Sequence, residues 1–163
     1  MPVENARHLF LMKTYRDAVG LAERTYGCLS LSRNQAAANL LSRTDRLLYT
    51  AELMRLSTRI MYAVAWLMTR RAVLDGELTP EQAAEPDHRL GRMTVNDNAA
   101  AARIDPDLVP PGVGALMDEA ERLYARVQRL EAELIAGDPL ALDGAEVGAP
   151  STAGPQERRP WVH

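Results

Sequence analysis

Cysteine, lysine and phenylalanine each occur once in this sequence, histidine occurs three times, and no apolar run is long. Cys28 alone cannot close an internal disulfide, and the N-terminus lacks the charged-then-apolar pattern of a secretory leader, so a cytoplasmic protein is expected. The longest uncharged apolar run, Ile60 to Met68, is bounded by Arg59 and Arg70 and falls far short of the ~18 residues a bilayer span requires. His8, His88 and His163 lie in different segments, with no H-x-x-x-H, Glu-x-x-His or Cys-x-x-Cys spacing, so neither a zinc site nor a helix-bundle di-iron site is expected. Cys28 has no recognisable activating partner and reads as a packed thiol. Gly112-x-Gly114 follows two prolines instead of a strand and fails the context a dinucleotide loop needs. Carboxylates are scattered, and none of Glu4, Asp17, Glu23 and Glu52 is placed by helical spacing towards a core. No catalytic, metal or cofactor constellation emerges, which leaves interaction as the best class of function.

Charge narrows the partners further. Nineteen basic residues against twenty-two acidic ones give a formal net charge of -3. That balance argues against a general nucleic-acid binder, though a local basic face stays open. A 47% apolar content suffices for one domain with a real core. Sustained alternation of β-branched residues is missing, and with a single Phe the core must be built from Leu, Met and Ala, so the fold class is all-α.

The segment from Thr44 to Gly76 organises the rest. It has no Pro or Gly before its end, Ser42 or Thr44 can cap it, and Gly76 sits where a left-handed stop belongs. Helical winding groups Leu53, Met54, Leu56, Ile60, Met61, Val64, Leu67 and Met68 on a broad apolar side, and Glu52, Arg55, Arg59, Tyr62, Thr69 and Arg70 on the other. Trp66 falls within the polar stripe beside Arg59 and Tyr62. An aromatic bracketed by arginines there is either a stacked surface cluster or a partner-binding anchor.

A first helix is predicted over Glu4 to Tyr26, stopped by Gly27, with Leu11, Tyr15, Ala18, Ala22 and Tyr26 as its buried stripe. Cys28 to Arg43 reads as a connection in which Gln35 to Leu41 can be helical. Thr79-Pro80-Glu81-Gln82 is a capping box opening a short helix that Pro86 ends. The stretch from Pro86 to Pro111 is a connection long enough to wrap the bundle or form a binding edge. From Gly114 to Ala136, Leu116, Ala120, Leu123, Val127, Leu130 and Leu134 recur at steps of four and three, a seam that can be spent inside the protomer or in a dimer. After Gly137 the composition turns to Pro, Gly, Ala, Ser and Thr, so residues 138–163 are expected to form a disordered tail behind a domain of residues 1–137. Its end, Arg158-Arg159-Pro160-Trp161, combines charge with an aromatic anchor.

The residues become specific between Ala51 and Ala83. Met54-Arg55-Leu56-x-Thr58-Arg59, Trp66-Leu67, Arg71-Ala72-Val73 and Gly76-Glu77 stand in an order that resembles the alphaproteobacterial RcdA family, the regulators of CtrA degradation, with a weaker match through His88-Arg89-Leu90-Gly91. The resemblance implies an antiparallel three-helix bundle with a long second helix and a flexible C-terminal tail, a homodimer, and a non-catalytic adaptor role for the ClpXP protease. Family members help deliver substrates such as CtrA, together with CpdR-like and PopA-like proteins.

On that reading Arg55, Arg59, Tyr62 and Trp66 form one partner-binding stripe and Arg158, Arg159 and Trp161 another contact on a tether. The competing reading pairs Arg55 with Glu52 and packs Arg59, Tyr62 and Trp66 against the long connection or a dimer mate. A helical transcription-associated or nucleic-acid-binding regulator, with Arg55, Arg59 and Arg70 tracking phosphates, is the alternative from another class. A small-molecule-sensing or enzymatic bundle ranks third.

Overall fold

The computed structural model describes residues 2–92 and 103–137; the tail that carries Arg158, Arg159 and Trp161 lies outside the described residues. Three long helices build the core: α1 (Pro2–Leu29), α3 (Arg43–Leu74) and α5 (Pro111–Gly137). Two short ones, α2 (Ser32–Leu40) and α4 (Pro80–Ala84), sit in the connections, and no strand occurs among the described residues.

Local chemistry sets the ends of α3. The Ser42 hydroxyl accepts the Asp45 backbone N–H at 3.1 Å, satisfying one of the orphan donors of the first turn. At the other end Gly76 takes φ +75°, the Gly76 N–H bonds the Val73 carbonyl at 3.2 Å and the Glu77 N–H bonds the Ala72 carbonyl at 2.8 Å. That bond pair is a Schellman stop, and it needs a residue that tolerates the left-handed region. The predicted capping box is present at α4, where Thr79 and Gln82 exchange bonds of 2.9 and 3.2 Å. Gly27 does not stop α1, which continues to Leu29. A mid-helix glycine costs only about 1 kcal/mol, and the extra turn lets Cys28 and Leu29 pack with Tyr49, Ile104 and Val113.

Contacts between the long helices fix their directions. Arg24 pairs with Glu119, and seven residues earlier Asp17 meets Arg126, so α1 and α5 run antiparallel. Cys28 lies by Tyr49 and Tyr15 by Arg71, so α1 and α3 are antiparallel too. Tyr49 shares a cluster with Val113, Tyr62 and Tyr124 both meet Gly91, and Arg70 feels Glu131. Helices α3 and α5 therefore run parallel, and the chain between them must travel back along the bundle.

The core consists of Ala18 and Leu21 from α1, Leu56, Ile60, Ala63, Trp66 and Leu67 from α3, and Leu116, Ala120, Leu123, Tyr124 and Val127 from α5. The α5 seam is buried as its period predicts, down to an exposed Leu134. Two other stripes are rotated from their expected positions. In α1 the buried set is Thr14, Ala18, Leu21 and Thr25, and Tyr26 is exposed. Thr14 can go inside because its hydroxyl donates back to the Phe10 carbonyl at 2.9 Å. In α3 the buried face has turned towards Glu52 and Trp66, which leaves Met54, Met61 and Met68 exposed. The apolar side of α3 is wider than α1 and α5 bury, and the described ends of the connection cover part of the flank that looks polar in sequence, at Tyr62 and Glu52.

Candidate functional site

Of the stripe Arg55, Arg59, Tyr62 and Trp66, Tyr62 meets the returning connection at Gly91 and Arg55 pairs with Glu52, which Arg103 of the connection also reaches. Trp66 is 2% exposed, so it is a core residue and not an outward anchor. The Arg70 guanidinium lies 5.1 Å from the Trp66 ring centroid, a cation–π distance, and donates to the Ala83 carbonyl of α4 at 2.8 Å. Burial lowers the pKa of Arg70, and attraction to Glu131 opposes that shift. The planar, weakly hydrated guanidinium tolerates such a site better than a lysine ammonium would.

The described ends of the connection, residues 86–92 and 103–110, meet α3 and α5 at separate points. The Leu90 N–H donates to Glu131 Oε1 at 2.7 Å, and the Tyr124 hydroxyl donates to the Gly91 carbonyl at 2.8 Å. A Cβ on Gly91 would lie 2.5 Å from the Tyr62 ring, so the backbone rests directly on that aromatic face. Nearer the start of α3, Arg103 Nε meets Glu52 Oε1 at 2.7 Å, and Ile104 packs with Tyr49 and Val113. Burial raises the Tyr49 phenol pKa, and the nearby Cys28 adds to the rise.

Glu52 is the residue that helical spacing misplaced. Its side chain is only 5% exposed, yet it accepts from Arg55 at 2.9 Å as well as from Arg103. A buried carboxylate is tolerated when such donors replace its water. The pairing of Arg55 with Glu52 matches the competing reading of the stripe, and Tyr62 does pack against the connection. Arg59 is partly exposed beside them, and Arg103 keeps about half of its side chain in solvent. What the arrangement does is pin the two described ends of the connection onto α3 and α5 through two carboxylates, Glu52 and Glu131, one glycine and two tyrosines. The signal for Glu52 was its i,i+3 spacing to Arg55; Arg103 and Gly91 gave none, because their partners are distant in sequence.

Elsewhere, a cleft between α1 and α5, about 140 Å³, is lined by Asp17, Arg24, Glu119, Arg122 and Arg126 with Leu21 and Leu123 beneath. Its charges largely answer one another. Arg24 forks onto both Glu119 oxygens at 3.1 and 2.5 Å, and that hydrogen bonding raises the Arg24 pKa. No group of three or more His, Cys, Asp or Glu side chains comes together as a metal site among the described residues. No described helix is long and apolar enough to cross a membrane.

These features define an all-helical bundle in which two parallel helices are joined by a crossover strap and crossed antiparallel by a third. The protein belongs to the RcdA family. Residues 4–149 match the family model described as a protein of unknown function, DUF1465. The crystal structure of RcdA from Caulobacter crescentus CB15 superposes with a TM-score of 0.59 at 32% sequence identity, over 76% of this chain and 88% of that one. No curated protein matches the chain.

Proposed function

We propose that this protein is a non-catalytic adaptor that delivers regulatory substrates, CtrA-like cargo among them, to the ClpXP protease, acting as a homodimer with CpdR-like and PopA-like partners in the cytoplasm. The observation that supports the reading is the match to RcdA over 88% of that chain. Adaptors accelerate proteolysis by raising the local concentration of cargo, which needs two separate surfaces and no reaction centre. A rigid bundle whose own strap occupies the α3–α5 flank leaves the rim of that strap for one partner. On this rim Arg59, with the exposed edges of Arg55 and Tyr62, meets acidic groups, and Trp66 lies in the core beneath. Arg158, Arg159 and Trp161 supply the second contact.

The test is degradation of a candidate cargo by purified ClpXP with the CpdR-like protein, comparing the full chain, a version ending at Gly137, an Arg59→Glu variant and no adaptor. Faster loss of cargo with the full chain alone supports tethering and gives the tail and Arg59 their roles. Equal rates in all four arms refute the adaptor reading for that cargo.

A further inference from the structure

One charge in the cleft between α1 and α5 has no answer. Each helix presents a stripe to this groove: Asp17, Leu21 and Arg24 recur at steps of four and three on α1, and Glu119, Leu123 and Arg126 do so on the antiparallel α5, with Arg122 beside them. Three guanidiniums therefore face two carboxylates over a floor of Leu21 and Leu123, which are 1% and 5% exposed. Arg24 is fully engaged, donating through Nε to the Gly20 carbonyl at 3.2 Å and through its fork to both Glu119 oxygens. Arg126 only approaches Asp17, at 3.7 Å, beyond hydrogen-bond length. Arg122 is exposed and has no ion-pair or hydrogen-bond partner among the described residues, although Asp118 stands one turn before it.

Two arginines one turn apart on the same helix face repel each other unless an anion lies between them. A planar carboxylate matches their forks, and the apolar floor asks for an aliphatic group joined to it. Asp17 adds a third requirement. When an incoming anion draws Arg126 away, the Asp17 carboxylate is left needing a donor, so the ligand must bring an N–H as well. The cleft, about 140 Å³, is close in size to the ~150 Å³ cavity that holds one benzene. It takes one residue and excludes a nucleotide or a helix.

We infer that this cleft binds the carboxyl-terminal residue of a peptide. Its carboxylate lies between Arg122 and Arg126, its amide N–H donates to Asp17, and a small aliphatic side chain rests on Leu21 and Leu123. A glutamate side chain supplies the carboxylate and the stem but no N–H for Asp17. A free amino acid has all three groups, yet the walls are too open to hold it. Asp17 and Arg126 keep 49% and 41% of their side chains in solvent, which suits a chain that continues outward. The inference takes its partner, a cargo polypeptide, from the adaptor reading, and puts this contact on the α1 side of α5, apart from the strap rim.

The test is fluorescence anisotropy of an amino-terminally labelled Gly-Ser-Gly-Ser-Gly-Val peptide with a free carboxyl terminus, titrated with the full chain, beside the same peptide closed as an amide. The free acid should bind at least ~10-fold more tightly, the usual worth of a charge-assisted hydrogen bond. Arg122→Gln and Arg126→Gln should each remove most of that difference. Arg129→Gln, outside the cleft, should not, with circular dichroism confirming equal helicity. Asp17→Ala separates a terminal residue from a plain anion: it should weaken the free acid, whereas removing a competing carboxylate would tighten the hold on any simple anion.

Equal affinity for acid and amide, an unchanged Arg122→Gln, tighter binding by Asp17→Ala, or full competition by an equal concentration of free valine each overturns the assignment. The titration contains no protease, so its failure leaves the adaptor reading standing. Equal degradation of cargo with and without the protein would refute that reading and leave the peptide affinity as measured.

Discussion

Replacing Glu52 by glutamine should cost far more than its place on an apparently polar stripe suggests. The carboxylate is 5% exposed and accepts from Arg55, whose side chain is 11% exposed, and from Arg103, which is 49% exposed. Removing its charge leaves Arg55 with its other contacts but without a buried anion, an effect of about 3 kcal/mol. The Arg103 arm is half in water and contributes no more than about 1 kcal/mol. Urea unfolding followed at 222 nm measures both, provided the slopes stay equal so that midpoints report stability alone. The expected order is Glu52→Gln well below Arg103→Ala, with Arg103→Ala close to neutral once Glu52 is already glutamine. A Glu52→Gln midpoint within ~0.5 kcal/mol of wild type would refute the view that this carboxylate locks the strap, because losses that small are ordinary for surface sites.

Two further outcomes concern the strap and α4. Gly91→Ala should destabilise by about 1–3 kcal/mol through overpacking on the Tyr62 ring. In a Tyr62→Ala background the same change should be nearly free, and additive losses in a double-mutant cycle would count against the contact. Acidification should loosen the first turn of α4. The Glu81 carboxyl is held below its ordinary value by a backbone hydrogen bond and then by Thr79. Its stabilisation is therefore complete above the ordinary carboxylate pKa and lost as pH falls through the lowered one. The protection factors of the Ala83 and Ala84 amides, with the intrinsic pH dependence of exchange divided out, read this, and Glu81→Gln should flatten their change with pH. Thr79→Ala should raise exchange at every pH, since the capping box is worth about 1 kcal/mol.

Which parts were legible follows from how far each signal reaches along the chain. The α5 seam, the Schellman stop at Gly76 and the Thr79–Gln82 box rest on residues within about a turn of one another, and all are present. The orientation of α3 was not legible, since the contacts on its polar-looking flank at Glu52 and Tyr62 are made by Arg103 and Gly91, about fifty and thirty positions away. Apolar content then misleads, because Met54, Met61 and Met68 look more core-like than Trp66 among arginines.

Parallel α3 and α5 also constrain the order in which the chain assembles. α1, α2 and α3 follow one another with only two-residue breaks and can collapse as each leaves the ribosome. α5 must wait for a loop of 36 residues between Leu74 and Pro111 to close, an entropic cost of about 3 kcal/mol beyond a fixed term. Until then Trp66, Leu56 and Leu67 lack their α5 cover, a sticky groove on the nascent chain. Early docking of Leu90 and Gly91 onto Tyr62 would shorten the remaining loop, so the strap doubles as a guide that threads the last helix into place.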